Sequence, residues 1–235
     1  KILIQLFIAF GVCTLAQTSF TENDIKIGKD LNREYRIFKF PNERSIDHRL
    51  VDQLKKEELV HVAEGDHFCG EIPVRIVSSS MLARGESRLG SRIWCNLDVA
   101  ESGAMERLAL CWESRGGFRP TLSLLAQSSW SFNDCELLNG GGLTVESFEA
   151  SLMARDCTIG GFGVGALPSA SAGAVVWGNG DCPSLGDFVK CTFQHTKTHA
   201  VRFASVGASG RVEGCKMRNC GSGISAVEPK SVTLC

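Results

Sequence analysis

The spacing of hydrophobic and polar positions changes near residue 60 from a helical period to a strand period. In SIDHRLVDQLKKEEL, Ile46, Leu50 and Leu54 recur on one helical face. The segment 45–60 is therefore predicted to form a short cap helix of about three turns. Beyond it, LVHVAEGDHF alternates as a strand does and closes at Gly65, and no further helical pattern follows.

A short pattern centred on a cysteine then recurs along the chain. Four segments align on it: SFNDCELLNG, LMARDCTIGG, GDFVKCTFQH and GRVEGCKMRN. Their cysteines are Cys135, Cys157, Cys191 and Cys215, and LALCWES adds Cys111 as an earlier member. Intervals of 22 to 34 residues suit one coil of a β-solenoid. Residues 61–235 are therefore predicted to form an all-β parallel β-helix.

Each position around the cysteine repeats one chemical environment. Apolar residues stand three before it and two after it: Leu108, Phe132, Ala154, Phe188 and Val212, then Leu137, Ile159, Phe193 and Met217. Four after it stand residues that suit a left-handed turn: Asn139, Gly161, His195 and Asn219. The cysteines are therefore predicted to point inward as small hydrophobic side chains rather than as redox or metal centres.

The N-terminal segment 1–20 is apolar and carries no charge after Lys1. It suits a secretory signal, a membrane anchor or a helix docked on the protein itself. An anchor is feasible because about 19 helical residues span about 28 Å, close to the hydrocarbon thickness of a bilayer. We expect a retained membrane anchor. Residues 21–44 are charge-rich and are predicted to be a solvated connector.

The composition argues against nucleic-acid binding and against two common kinds of cysteine site. The net charge of -1 gives no electrostatic case for binding nucleic acid. The 11 cysteines include no C-x-x-C pair, which disfavours zinc ribbons and thioredoxin-type sites. No cofactor and no metal are expected.

At this point the chain resembles a known group of proteins. The run SIDHRLVDQLKKEELVHVAEGDHFCGEIPVRIV resembles the entry to pectin-lyase-like β-helix proteins, and the cysteine-centred coils are similar to CASH-type repeats. The resemblance covers roughly residues 45–235 and implies a right-handed parallel β-helix. The group contains polysaccharide lyases and hydrolases as well as non-enzymatic substrate receptors.

The resemblance also implies where an active site would lie. Enzymes of this group use clustered Asp residues, or Ca²⁺-binding carboxylates with a basic residue, on an outer face of the solenoid. The candidates in this chain are Asp134, Asp156 and Lys190. Without catalysis the same residues would form a solvated charge ladder, and this is the favoured interpretation.

Other residues are weaker candidates for binding. His195 and His199 are four apart but fall in a predicted turn, which disfavours a metal pair. A sugar groove could be lined by tryptophans that would otherwise fill the core: Trp94, Trp112, Trp130 and Trp177.

The sequence leaves three functions open. The favoured one is a non-catalytic structural or interaction subunit, held through residues 1–20 at a membrane protein complex, photosynthetic or respiratory, in an organelle. Its partners would be protein subunits of that complex. The alternatives are a secreted polysaccharide lyase or hydrolase, with carbohydrate as its ligand, and a substrate-recognition module.

Overall fold

The computed structural model describes residues 45–56, 59–77, 81–112, 119–125, 127–162, 169–179, 181–227, 229 and 231–234. The apolar segment 1–20 and the connector 21–44 lie outside these residues. Within the described part of the chain, one helix and twenty strands follow in order.

Helix α1 (His48–Lys56) opens the described chain. It begins three residues later than the predicted segment because Asp47, rather than Ser45, caps it: the Leu50 amide donates to Asp47 Oδ1 at 2.9 Å. Leu50 and Leu54 are buried against the first strands of the solenoid. No helix in the described ranges has the length and apolar character needed to cross a bilayer.

The strands form three parallel faces, because each coil of the chain contributes one strand to each face. Face A contains β1 (Leu59–Val62), β4 (Met81–Gly85), β7 (Gly103–Glu106), β10 (Ser129–Asn133), β13 (Ser151–Arg155), β16 (Ser184–Val189), β18 (Ala208–Glu213) and β20 (Ser231–Leu234).

Faces B and C are joined, because the chain passes from one to the other within the long strands β17 (Thr192–Phe203) and β19 (Lys216–Ala226). Besides the first parts of these two strands, face B contains β2 (Gly65–Phe68), β5 (Ser91–Trp94), β8 (Ala109–Trp112), β11 (Glu136–Asn139) and β14 (Thr158–Gly160). Face C has their second parts together with β3 (Val74–Ile76), β6 (Leu97–Val99), β9 (Leu122–Leu124), β12 (Leu143–Phe148) and β15 (Ala172–Trp177).

The predicted all-β, right-handed parallel solenoid is therefore confirmed, with about seven turns in the described chain. Consecutive coils lie about 4.8 Å apart, the spacing of neighbouring strands in a sheet. Residues with the same place in the coil consequently stack in straight columns along the molecule.

The core is built from the predicted inward columns, except in the last coil, where Met217 is 36% exposed. Cys135, Cys157 and Cys191 are fully buried at successive coils, and Cys215 follows them at the less covered C-terminal end. Cys111 does not belong to this column, contrary to the prediction. Leu108 occupies the equivalent place, since its carbonyl accepts from the Glu136 amide, while Cys111 aligns with Leu138 in face B.

Two of the stacked thiols, those of Cys157 and Cys191, should be chemically inert in the native protein. The thiol of Cys135 next to Cys157 raises the pKa of Cys157 to about 12, and Cys157 in turn raises that of Cys191 to about 12. Because the thiolate is the reactive form, we expect Cys157 and Cys191 to resist a thiol reagent until the protein unfolds, whereas the partly exposed Cys182 reacts first. Mass spectrometry after timed alkylation, with and without denaturant, measures the order. Rapid native labelling of Cys157 would contradict this assignment.

Candidate functional site

The structure places Asp134, Asp156 and Lys190 at the corner between faces A and B, one per coil. Their backbone φ angles are 51°, 53° and 55°, in the left-handed region. The same place is taken by Arg107 in the coil before, with φ 54°, and by Gly214 in the coil after, with φ 59°. Asp and Gly are among the residues that adopt this conformation most readily, so the column has a turn-forming role.

Arg88 gives the two aspartates a further structural role. Its Nη1 lies 3.2 Å from Asp134 Oδ1 and donates to the Asp156 carbonyl at 3.1 Å. Its Nη2 donates to Thr158 Oγ1 and lies 3.8 Å from the buried Glu136 Oε1. One guanidinium therefore ties the second coil to the fourth and fifth and offsets the charge of the acids there. The catalytic role of Asp134, Asp156 and Lys190 stays a prediction, and the geometry supplies a structural reason for each.

Replacing Asp156 tests the turn role directly. Asp156→Gly should leave the free energy of unfolding within about 0.5 kcal/mol of the parent, because Gly adopts positive φ readily. Asp156→Val should lose about 1–2 kcal/mol, since a β-branched residue is strained in this region. Urea denaturation of the two variants measures the difference. Equal stability of the Gly and Val variants would show that the turn does not select the residue.

His195 and two of the four candidate tryptophans also have structural positions. His195 takes a left-handed turn conformation, with φ 52°, and burial lowers its pKa. Trp130 is fully buried, and Trp94 is stacked between Phe68 and Phe162 at centroid distances of 6.1 and 5.6 Å. In the described ranges no group of three or more His, Cys, Asp or Glu side chains is placed to hold a metal ion.

A pair of carboxylates that sequence reasoning missed lies on the outer side of face C. Asp98 is central in β6, and its neighbours Leu97 and Val99 point into the core, so its side chain faces outward. Strand pairing places Asp98 beside Ser123, and Ser123 beside Glu146. The two carboxylates are therefore two coils apart, about 9.6 Å between Cα positions, with a small serine between them.

The electrostatics of this pair differ from those of the acids near Arg88. Among the described residues, neither Asp98 nor Glu146 has an ion-pair or hydrogen-bond partner for its carboxylate. Partial burial raises the pKa of Glu146 above its ordinary value, and the negative charge of Asp98 raises it further. Titratable groups shifted by burial and a specific charged neighbour are typical of functional sites.

The surroundings of the pair include aromatic and cationic side chains. The column continues from Glu146 through Val175 to Arg202. Phe148, 48% exposed, is in register with Trp177, and the guanidinium carbon of Arg202 lies 5.9 Å from the Trp177 ring centroid. We call this surface the face C groove: Asp98, Ser123, Glu146, Phe148, Trp177 and Arg202.

A signal for this groove is present in the sequence. The strands LDV and LSL, and VRF in a later coil, each place a polar residue between two apolar ones. An outward polar column is the simplest explanation of that triplet. The cysteine-centred alignment cannot find it, because the coil that carries Asp98 has no residue of the cysteine ladder.

Comparison with solved structures gives a distant likeness. No protein-family model and no curated protein matches the chain. A solved structure described as the crystal structure of the Agl-KA catalytic domain is similar to it, with 11% sequence identity and a TM-score of 0.47. The match covers 83% of this chain, which spans 45% of the length of that one.

This finding corrects the favoured function from the sequence. The matched protein is described as a catalytic domain, and no comparison supports the interpretation of this chain as a non-catalytic subunit of a membrane complex, which is therefore withdrawn. At this level of similarity the likeness carries no argument about activity. The case for an enzyme therefore has to come from the residues of this chain.

Proposed function

We propose that this chain is a glycoside hydrolase that cleaves a polysaccharide in the face C groove. The observation that carries the proposal is the Asp98–Glu146 pair. Both carboxylates face outward without a partner among the described residues, and partial burial and the charge of Asp98 raise the pKa of Glu146.

The spacing of the pair suits hydrolysis with inversion at the anomeric carbon. Inverting glycosidases hold their two carboxyl groups about 6.5–9.5 Å apart, which leaves room for a water molecule between the base and the sugar. Retaining enzymes need about 5–5.5 Å, because the second carboxylate attacks the sugar directly. Side chains of one outward column project in the same direction, so the two carboxyl groups are expected about as far apart as their Cα atoms, about 9.6 Å, which is nearer the inverting range than the retaining one.

The environments of the two carboxyl groups suggest their roles. Glu146, whose pKa is raised, would be protonated and would donate its proton to the glycosidic oxygen as the bond to the anomeric carbon breaks. Asp98, as the carboxylate, would take a proton from the attacking water, whose oxygen bonds to the anomeric carbon from the opposite side. One water is consumed, and one new reducing end is formed.

The exposed aromatic surface supplies a place for the sugar ring. Phe148 lies two residues after Glu146 along the same outward side of β12. Sugar rings present an apolar face of C–H groups that packs on an aromatic ring, so Phe148 would orient a unit next to the scissile bond. Trp177 extends this surface by one coil.

The test is turnover on a panel of polysaccharides, with NMR following the anomer released. We expect new reducing ends whose configuration is inverted relative to the substrate. Release of the retained anomer would contradict the assigned spacing. Absence of turnover across neutral, uronate and sulfated polysaccharides would overturn the proposed function.

A further inference from the structure

Two buried hydrogen-bond donors lie together at the end of the face C groove. The indole Nε1 of Trp177 and the guanidinium Nε of Arg202 are both buried, and neither has a hydrogen-bond partner in the described structure. Leaving a buried donor without a partner costs about 1–3 kcal/mol. Two such donors on neighbouring side chains therefore need an explanation in what binds there.

The side chain of Arg202 is held in place rather than free to turn toward solvent. Its guanidinium carbon lies 5.9 Å from the Trp177 ring centroid, a distance at which a cation is attracted to the face of an indole. Val201 and Phe203, on either side in β17, are fully buried in the core. The backbone and the ring thus fix where the guanidinium lies.

Arg202 also lacks a charge partner within the described chain. It makes no ion pair there, and Glu146, the acid in its column, is two coils away across Val175. Several other arginines in the described chain form ion pairs with acids: Arg88 with Asp134, Arg92 with Asp66, and Arg211 with Asp187. A partly buried guanidinium always carries its charge, so an unmatched one favours an anionic ligand.

From this arrangement we infer that Arg202 and Trp177 form a subsite for an oxyanion group of the glycan, a carboxylate or a sulfate ester. The two N–H groups would donate to its oxygens, and the guanidinium would neutralise its charge. The group would belong to a sugar unit next to the one cleaved, since Val175 separates Arg202 from Glu146. The inference rests on the proposed function for the position of the glycan, and oxyanion binding itself requires no cleavage.

The experiment measures binding by calorimetry in the inactive Glu146→Gln background, so that turnover cannot interfere. The probes are an oligogalacturonate, a sulfated galactan oligosaccharide and a neutral glucan oligosaccharide. We expect at least one anionic probe to bind more tightly than the neutral one, with affinity that falls as salt is added. If the affinity of the anionic probe falls as the pH is lowered through the pKa of the uronic acid, the preferred group is a carboxylate. If the affinity does not change with pH in that range, the preferred group is a sulfate ester.

Substitutions of Arg202 and Trp177 measure how much each donor contributes to the affinity for the anionic probe. Arg202→Met should weaken the anionic probe at least about 10-fold, the size of one charge-assisted hydrogen bond. Arg202→Lys should restore only part of the affinity, because lysine keeps the charge but lacks the fixed N–H fork. Trp177→Phe keeps a ring under the guanidinium but removes the indole N–H. Its affinity for the anionic probe should fall a few-fold.

Arg155→Met is the matched control, since Arg155 is an exposed arginine at the end of β13 in face A, outside the face C groove. It should leave all affinities unchanged, and thermal melts of every variant verify folding. Equal binding of neutral and anionic probes, or unchanged anionic binding in Arg202→Met, would overturn the subsite. If the Arg202→Met protein still hydrolysed a neutral polysaccharide in that case, the proposed function would hold and only the oxyanion subsite would be rejected. Anionic binding without turnover on any polysaccharide would leave only the subsite.

Discussion

Glu146→Gln is expected to lower the rate of polysaccharide hydrolysis by about 10²–10⁴-fold, the contribution typical of a positioned general acid. The amide has nearly the shape of the carboxyl group but has no acidic proton to give to the leaving oxygen. The loss should therefore appear in kcat, with KM little changed, because substrate contacts outside the acid remain. Reducing-end assays over a range of substrate concentrations separate the two constants.

The same substitution should not destabilise the protein at neutral pH. The pKa of Glu146 is raised in the folded state, so folding favours its protonated form. Protonated Glu146 therefore contributes stability that is fully present below the pKa of this residue in the unfolded chain, ordinarily 4.5. That contribution is lost as the pH rises through the higher pKa of Glu146 in the folded protein. Gln removes the penalty for ionising Glu146, so we expect thermal stability equal to or above that of the parent at pH 7, with no such gain at strongly acid pH.

Asp98→Asn should also abolish most hydrolysis and, in addition, change the pH dependence. Because the charge of Asp98 raises the pKa of Glu146, removing it should move the basic limb of the residual activity to lower pH. Glu101→Gln is the control, since Glu101 is an exposed carboxyl outside the face C groove. If Glu146→Gln and Glu101→Gln retained the same activity, Glu146 would not be the acid.

The sequence was sufficient to predict the solenoid because the core repeats. The columns of Cys135, Leu137 and Phe132 and their equivalents place one type of environment at one distance per coil, and burial follows directly. The prediction that Cys111 belongs to the cysteine column was wrong for an identifiable reason. The third coil has Leu108 in the cysteine position, and an alignment anchored on cysteine shifts that coil by three residues.

The groove was harder to predict because its residues do not repeat. Asp98, Ser123 and Glu146 share a column only through strand pairing, and each is a different residue type. Asp134 and Asp156 were conspicuous for the opposite reason, since a repeated acid beside a repeated cysteine is easy to see. Their repetition reflects a turn that five successive coils make, with Arg107, Lys190 and Gly214 in the same conformation. Repetition in a solenoid thus identifies structural residues, and its interruption identifies candidate functional ones.

The largest effect on stability is expected at Gly160, the last residue of β14. Its φ of +142° lies in a region that L side chains rarely adopt, and a Cβ there would lie 1.9 Å from the Gln194 carbonyl oxygen. The backbone strain costs about 1–3 kcal/mol. The collision adds about 1–3 kcal/mol or more, because a main-chain atom of the paired strand β17 has to move. Gly160→Ala should therefore push β14 and β17 apart locally in face B and lower the free energy of unfolding by the sum of these two costs.

Gly65→Ala supplies the matched control for that prediction. Gly65 begins β2 with a φ of +127°, yet a Cβ there would have no atom within 4 Å. It carries the same kind of backbone strain without the collision, so the difference between the two variants isolates coil-to-coil contact. In a chain of this size each kcal/mol corresponds to about 2–4 °C in Tm. Gly160→Ala should accordingly melt several degrees below Gly65→Ala. Equal melting temperatures would mean that face B relaxes around the added methyl group, and that the close approach of Gly160 to Gln194 is not needed to hold the coils in register.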